Sequence, residues 1–184
     1  MDRKETLQKK RNRTVSLTVC AVLSALCVVF LLLGCIIDTI DLSMAALCCI
    51  VVWLVLWEYG TGYALMLYCV VSLLSLLLLP TKAPGLLFAG ITGWYPMAKY
   101  YFDKLPKPLS LLCKLLSANA AAALLFFGFR ELLGFRYESK WILLLCLLLF
   151  NIALLLMDFL LRRIVPFYLI KIRPHLPKAA LRKK

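Results

Sequence analysis

Four polar side chains stand inside sequence that is otherwise apolar: Lys114 and Asn119 in one stretch, Asn151 and Asp158 in another. A charge at membrane depth costs about 2.5–3.5 kcal/mol on insertion scales, so such residues are functional candidates by default. If the two stretches are antiparallel neighbours, Lys114 and Asp158 meet as an ion pair. Both lie toward the inner ends of their segments, and we read the pair as a lock between helices rather than the wall of a pocket. Asn119 sits in "SANAAAA", where small residues permit close helix packing or leave space beside a ligand. Asn119 and Asn151 are therefore read both as packing residues and as candidate ligand contacts.

Further charges mark the connections between apolar runs. Asp38 and Asp41 flank "DTID", Thr81 and Lys82 mark a second connection, and Arg130, Glu131, Arg136, Tyr137 and Glu138 a third. Three connections on one side of a membrane converge over a shallow pocket, which makes Asp38, Asp41 and Arg130 substrate-binding candidates alongside the two asparagines. The alternative is ordinary solvated loop tips. Trp53, Trp57, Tyr59 and Tyr63 cluster at one boundary, and Trp94, Tyr95, Tyr100 and Tyr101 at another. Both groups read as interfacial aromatic belts.

Several chemistries lack their residues. His175 is the one histidine, so there is neither a serine–histidine couple nor a histidine–carboxylate metal set. The eight cysteines, Cys20, Cys27, Cys35, Cys48, Cys49, Cys69, Cys113 and Cys146, form no C-x-x-C pair. They read as small packing residues. No glycine-rich loop ending in Lys-Ser or Lys-Thr is present to cradle a nucleotide phosphate. No catalytic residue, metal ligand or cofactor is expected, and an enzyme acting on lipid through Asp and Arg alone is the least supported reading.

The elements that position these residues follow from composition. Of 184 residues, 64% are hydrophobic, and the mean hydropathy is +0.91. Soluble domains are about 45–50% apolar, so lipid is the solvent for the excess. About 20 apolar residues cross a 30 Å hydrocarbon layer as a helix. Six stretches qualify as candidate spans: 17–37, 42–57, 63–79, 85–98, 109–129 and 141–161. They lack the alternation of strands, and only helices or closed barrels satisfy their backbone in lipid. The fourth is short and holds Gly85, Gly90, Gly93 and Pro96, which predicts a tilted, broken or partly re-entrant segment. "EYGTGY" predicts a tight glycine turn between spans two and three. The first span exceeds a signal-peptide core and lacks a cleavage motif, so it reads as a retained anchor.

Basic residues set the orientation. Arg3, Lys4, Lys9, Lys10, Arg11 and Arg13 precede the first span, and Arg162, Arg163, Lys171, Arg173, Lys178, Arg182, Lys183 and Lys184 follow the last. Both ends belong in the cytoplasm, which an even number of spans allows. The inner connection "KYYFDKLPKP" adds Lys99, Lys104 and Lys107. The net charge of +13 hugs membrane ends, which points to anionic lipid and away from nucleic acid. The expected organisation is all-α and multi-pass: a basic cytoplasmic arm over 1–16, a bundle of about six transmembrane helices over 17–161 and a basic cytoplasmic tail over 162–184.

Within "CAVLSALCVV", Ala21, Ser24 and Ala25 make one face of the first helix small. Small residues four apart let helix backbones approach closely in lipid, so this face reads as a docking surface, the alternative being contact within the bundle. A six-helix chain of this size, basic at both cytoplasmic ends and carrying "AVLSA" in its first helix, resembles the substrate-binding S component of an energy-coupling factor (ECF) transporter. The resemblance implies that Ala21 and Ala25 dock on a coupling transmembrane subunit attached to two ATPase subunits. It further implies that "GCIIDTIDLS" covers a substrate captured from outside, in a bacterial cell membrane. Metal-ion members of the family carry an N-terminal histidine that this chain lacks, so the implied ligand is a small, vitamin-like organic molecule. The competing expectation is a non-enzymatic multispan protein that scaffolds an assembly or binds lipid.

Overall fold

A computed structural model describes residues 3–37, 40–128, 140–167 and 171. The described chain is helical throughout, with no strand among the described residues: α1 (Arg3–Ile36), α2 (Asp41–Tyr59), α3 (Thr61–Leu78), α4 (Ala83–Leu87), a π-helical segment (Phe88–Thr92), α5 (Tyr95–Phe102), α6 (Lys107–Gly128) and α7 (Lys140–Phe167). Three helices are long and apolar enough to cross a membrane, namely α1 over Arg13–Ile36, α2 and α3, while α6 contributes a shorter apolar stretch, Leu109–Leu125. The first helix runs unbroken through the basic arm. At 1.5 Å per residue it is about 51 Å long.

The ends of these helices follow from local chemistry. Gly60 alone separates α2 from α3, with φ 95° and ψ 177°, a backbone region that only glycine occupies readily. Its amide closes α2 by donating to the Leu56 carbonyl at 3.1 Å. Pro84, Pro96 and Pro108 each stand in the first turn of a helix, where a missing N–H is no loss. Lys82 finishes α3 by donating to the carbonyls of Leu76 and Leu79, both at 2.8 Å.

The first three helices form the tightest part of the bundle. Cys27, Cys48, Cys49, Ala45, Ala64 and Val71 are all fully buried there. Cysteines do serve as packing residues in this core: Cys48 donates its thiol to the Cys27 carbonyl at 3.4 Å. Gly34 faces the start of α2, where a methyl group would touch the Asp41 carboxylate at 3.3 Å and meet its backbone at an ordinary 3.5 Å. A second, smaller cluster of Leu86, Ile91, Ala118, Leu125 and Leu154 joins the π segment to α6 and α7.

The fourth apolar stretch is broken, as its glycines and proline predict. Over Phe88–Thr92 the backbone slips into π register, and Gly93 N–H reaches back to the Phe88 carbonyl at 2.7 Å. Side chains take up the carbonyls that follow: Tyr68 Oη donates to Ala89 at 2.8 Å and Trp94 Nε1 to Gly90 at 2.6 Å. Such single-turn π segments recur at functional sites.

Candidate functional site

Two features of the bundle have the ingredients of a site. The first is an ionic network joining α5, α6 and α7. Lys99 is wholly buried, Lys114 is 3% exposed and Asp158 is 6% exposed. Asp158 Oδ1 accepts from Lys99, from Lys114 at 3.4 Å and from the Tyr95 hydroxyl at 3.3 Å, while Oδ2 accepts from Arg162 at 2.9 Å. Asp103 accepts from Lys114 and lies 3.6 Å from Lys99. Trp53 of α2 places its ring 5.8 Å from Lys99 Nζ and donates its indole N–H to the Leu161 carbonyl at 3.2 Å.

The network is self-satisfied. Its three cations and two carboxylates leave one positive charge, and the two most exposed members, Arg162 and Asp103, face outward. Every buried charge has an opposite partner, the condition under which ionic groups survive in a low-dielectric interior. The expected Lys114–Asp158 pair is present, but as the edge of a larger cluster. Lys99, placed by the sequence in a solvated basic connection, is a correction. It lies within α5, and Asp158 supplies the counter-charge that keeps it inside. Tyr95 and Asp103 stand four residues to either side of it, but that spacing alone does not name Asp158 as its partner.

Above the network, Asn119 and Asn151 exchange amides across α6 and α7, with N–O distances of 2.8 and 3.2 Å. Each also donates to the carbonyl four residues back, Leu115 and Leu147, at 2.8 Å. Both amide groups are thus engaged with each other and with their own helices.

The second feature is a groove of about 230 Å³ between α2 and α7. Its floor is the π segment, where Ile91 and Thr92 are buried; Leu42, Leu156 and Leu160 on its rims are exposed. Among the described residues no charged side chain lines it. Its polar members are Ser43 at one rim and Thr92 in the floor. Thr92 Oγ1 is buried without a hydrogen-bond partner among the described residues. The groove is not legible in the sequence, because it depends on how far α7 stands from α2.

The remaining candidates fall as follows. Asp41 is half-buried in the first turn of α2; Asp38 and Arg130 lie outside the described residues. Ala21 and Ala25 face outward from α1, but Ser24 is a correction: it is buried, and its hydroxyl donates to the Cys20 carbonyl at 2.7 Å. Successive helical positions are about 100° apart, which turns Ser24 into the bundle while the alanines stay out. The aromatic belts are corrected too. Trp53, Tyr59 and Tyr95 are core residues, 3%, 6% and 4% exposed, with Trp53 donating to the Leu161 carbonyl and Tyr95 to Asp158, while Trp57, Tyr63, Trp94, Tyr100 and Tyr101 stay partly or fully exposed. No protein-family model matches this chain, and no curated protein or solved structure shows significant similarity to it.

Proposed function

We propose that this chain is a non-enzymatic, multispan membrane protein that binds lipid in the lateral groove between α2 and α7. The observation that carries the reading is the uncharged lining of that groove beside exposed leucines. A polar nutrient would leave its own polar groups unpaired against such walls, whereas a hydrocarbon chain loses nothing by leaving the bilayer for them. In this reading six segments cross the membrane and both basic ends lie in the cytoplasm of a bacterial cell. There the arm and tail hold anionic lipid headgroups.

A second reading, substrate capture for an ATP-driven importer with separate coupling and ATPase subunits, draws support from Ala21 and Ala25, which face away from the bundle. One experiment separates the two. The tagged chain is purified from its native membrane and its contents are identified by mass spectrometry. Extractable lipid held in stoichiometric amount, without companion ATPases, supports the lipid reading; a bound vitamin with ATPases overturns it. In the latter case Ala21→Trp combined with Ala25→Trp abolishes the association.

A further inference from the structure

Lys99, Asp158, Lys114 and Asp103 form a closed ring of alternating sign. Each lysine meets both carboxylates: Lys99 contacts Asp158 and stands 3.6 Å from Asp103, while Lys114 contacts Asp103 and stands 3.4 Å from Asp158. Two cations and two anions make the ring neutral by itself, so Arg162 is the surplus charge of the network. It holds Asp158 Oδ2 through Nε and Nη2, each at 2.9 Å, and its side chain is 56% exposed. Arg163 follows it, exposed and without a carboxylate partner among the described residues. Its guanidinium lies 5.6 Å from the centre of the Phe159 ring.

Leu148, Ile152, Leu155 and Phe159 are all exposed, and steps of four, three and four residues put them in one stripe along α7. Ala153, Leu154, Met157 and Leu161 line the groove, and at 100° per residue the stripe lies on the opposite side of the helix from them. Arg162 and Arg163 stand three and four residues beyond Phe159, so they straddle the end of the stripe. We propose that these two arginines clamp a phosphate group, that of an anionic phospholipid whose acyl chain lies along the stripe. Guanidinium donors match phosphate oxygens, the surplus charge supplies the attraction, and the exposed leucines supply a surface for the chain. The inference rests on the membrane reading above and deepens it, because it gives the anionic headgroup a site apart from the groove. In that reading the exposed α5–α6 turn at Asp103–Pro106, tied to the ring through Asp103, marks the aqueous boundary beside Arg162.

The test is native mass spectrometry of the full-length protein in neutral detergent. Phosphatidylglycerol, phosphatidylcholine with the same acyl chains, or inorganic phosphate is added. Wild-type protein is expected to prefer phosphatidylglycerol. Arg163→Gln, which breaks no ion pair, is expected to cut that preference about fivefold, and Arg162→Gln combined with it about 25-fold, from the attraction of each arginine near a membrane surface. The neutral ring is expected to keep the double variant folded, as circular dichroism reads. Lys183→Gln with Lys184→Gln, which removes the same charge from the tail, is expected to lower the preference less. Ala153→Phe, which fills the groove, is expected to leave it unchanged. A phosphatidylglycerol adduct with no inorganic phosphate adduct assigns the clamp to lipid; a phosphate adduct that the arginine substitutions remove assigns it to the free ion. Equal binding of both lipids with no phosphate adduct overturns the inference and leaves the lipid reading standing. So does a preference that survives the arginine substitutions, falls equally with the two lysines, or vanishes in Ala153→Phe. Absence of any lipid adduct in wild type overturns the lipid reading and the lipid clamp with it.

Discussion

Lys99 of α5 closes on Asp158 of α7 with none of its side chain open to solvent. This contact makes one body of two parts that otherwise touch sparingly. The C-terminal half of α7 is held by Asp158 and by the Trp53 bond to Leu161, its middle by Asn151. Between these anchors and α2 lies the groove.

Breaking that pair is unequal from its two sides. Asp158→Leu leaves the buried Lys99 with Asp103 alone, 3.6 Å away, and is expected to destabilise the protein by about 3–5 kcal/mol; Lys99→Met leaves Asp158 with Lys114 and Arg162 and is expected to cost less, and the double substitution recovers most of the Asp158→Leu loss. Lys114 keeps Asp103 in every case. Denaturant unfolding of the four proteins in micelles, taken as a double-mutant cycle, checks this. Additive losses would remove the claim that the two residues act as a pair.

The asparagine exchange has a smaller scale. Hydrogen bonds between membrane helices average about 0.6 kcal/mol and reach about 1.7. A cycle of Asn119→Leu and Asn151→Leu is expected to return a coupling energy in that range, with lipid binding unchanged because neither residue lines the groove. Loss of lipid binding in Asn119→Leu at unchanged stability would assign that residue to the site.

Trp53→Phe preserves an aromatic ring near Lys99 but removes the donor to Leu161. The expected loss is about 1 kcal/mol, the usual net value of a hydrogen bond. Thermal unfolding monitored by circular dichroism reads it, and an unchanged midpoint would mean the bond contributes nothing.

Three glycines order themselves by what a methyl group would meet. At Gly93 it would lie 2.8 Å from the Phe88 carbonyl oxygen and 2.6 Å from the Tyr68 ring; at Gly90 it would meet the flexible tip of Leu125; at Gly62 it would meet nothing within 4 Å. Gly93→Ala is therefore expected to destabilise most and Gly90→Ala less. Gly62→Ala is expected to stabilise by about 0.4–1 kcal/mol through the unfolded chain. Unfolding midpoints in any other order would contradict the packing around the π segment.

Much of the helical architecture is legible in the sequence, because apolar runs, glycines and prolines act locally. The break between Gly85 and Pro96 and the turn at Gly60 follow from residues within a few positions of each other. Asn119 and Asn151, or Lys114 and Asp158, can be paired from their depth in neighbouring segments. Lys99 cannot, since its environment is set by Asp158, far along the chain, and the polar letters around it read as a loop. The place of Thr92 in the groove floor is invisible for the same reason: the walls around it come from α2 and α7, far along the chain. Ser24 and Trp53 went astray because composition alone does not say which way a helix is turned.

The π segment is in effect one residue spliced into a helix. A single added position rotates everything beyond it by about 100°, and α5 follows directly. Deleting one residue from Phe88–Thr92 would wind that stretch back to ordinary pitch and swing Lys99 around the barrel of its helix, off its carboxylate and toward hydrocarbon. The same local irregularity that floors the apolar cleft therefore also aims a cation more than a turn away, so the cleft and the charged hub inherit their alignment from one event in the chain.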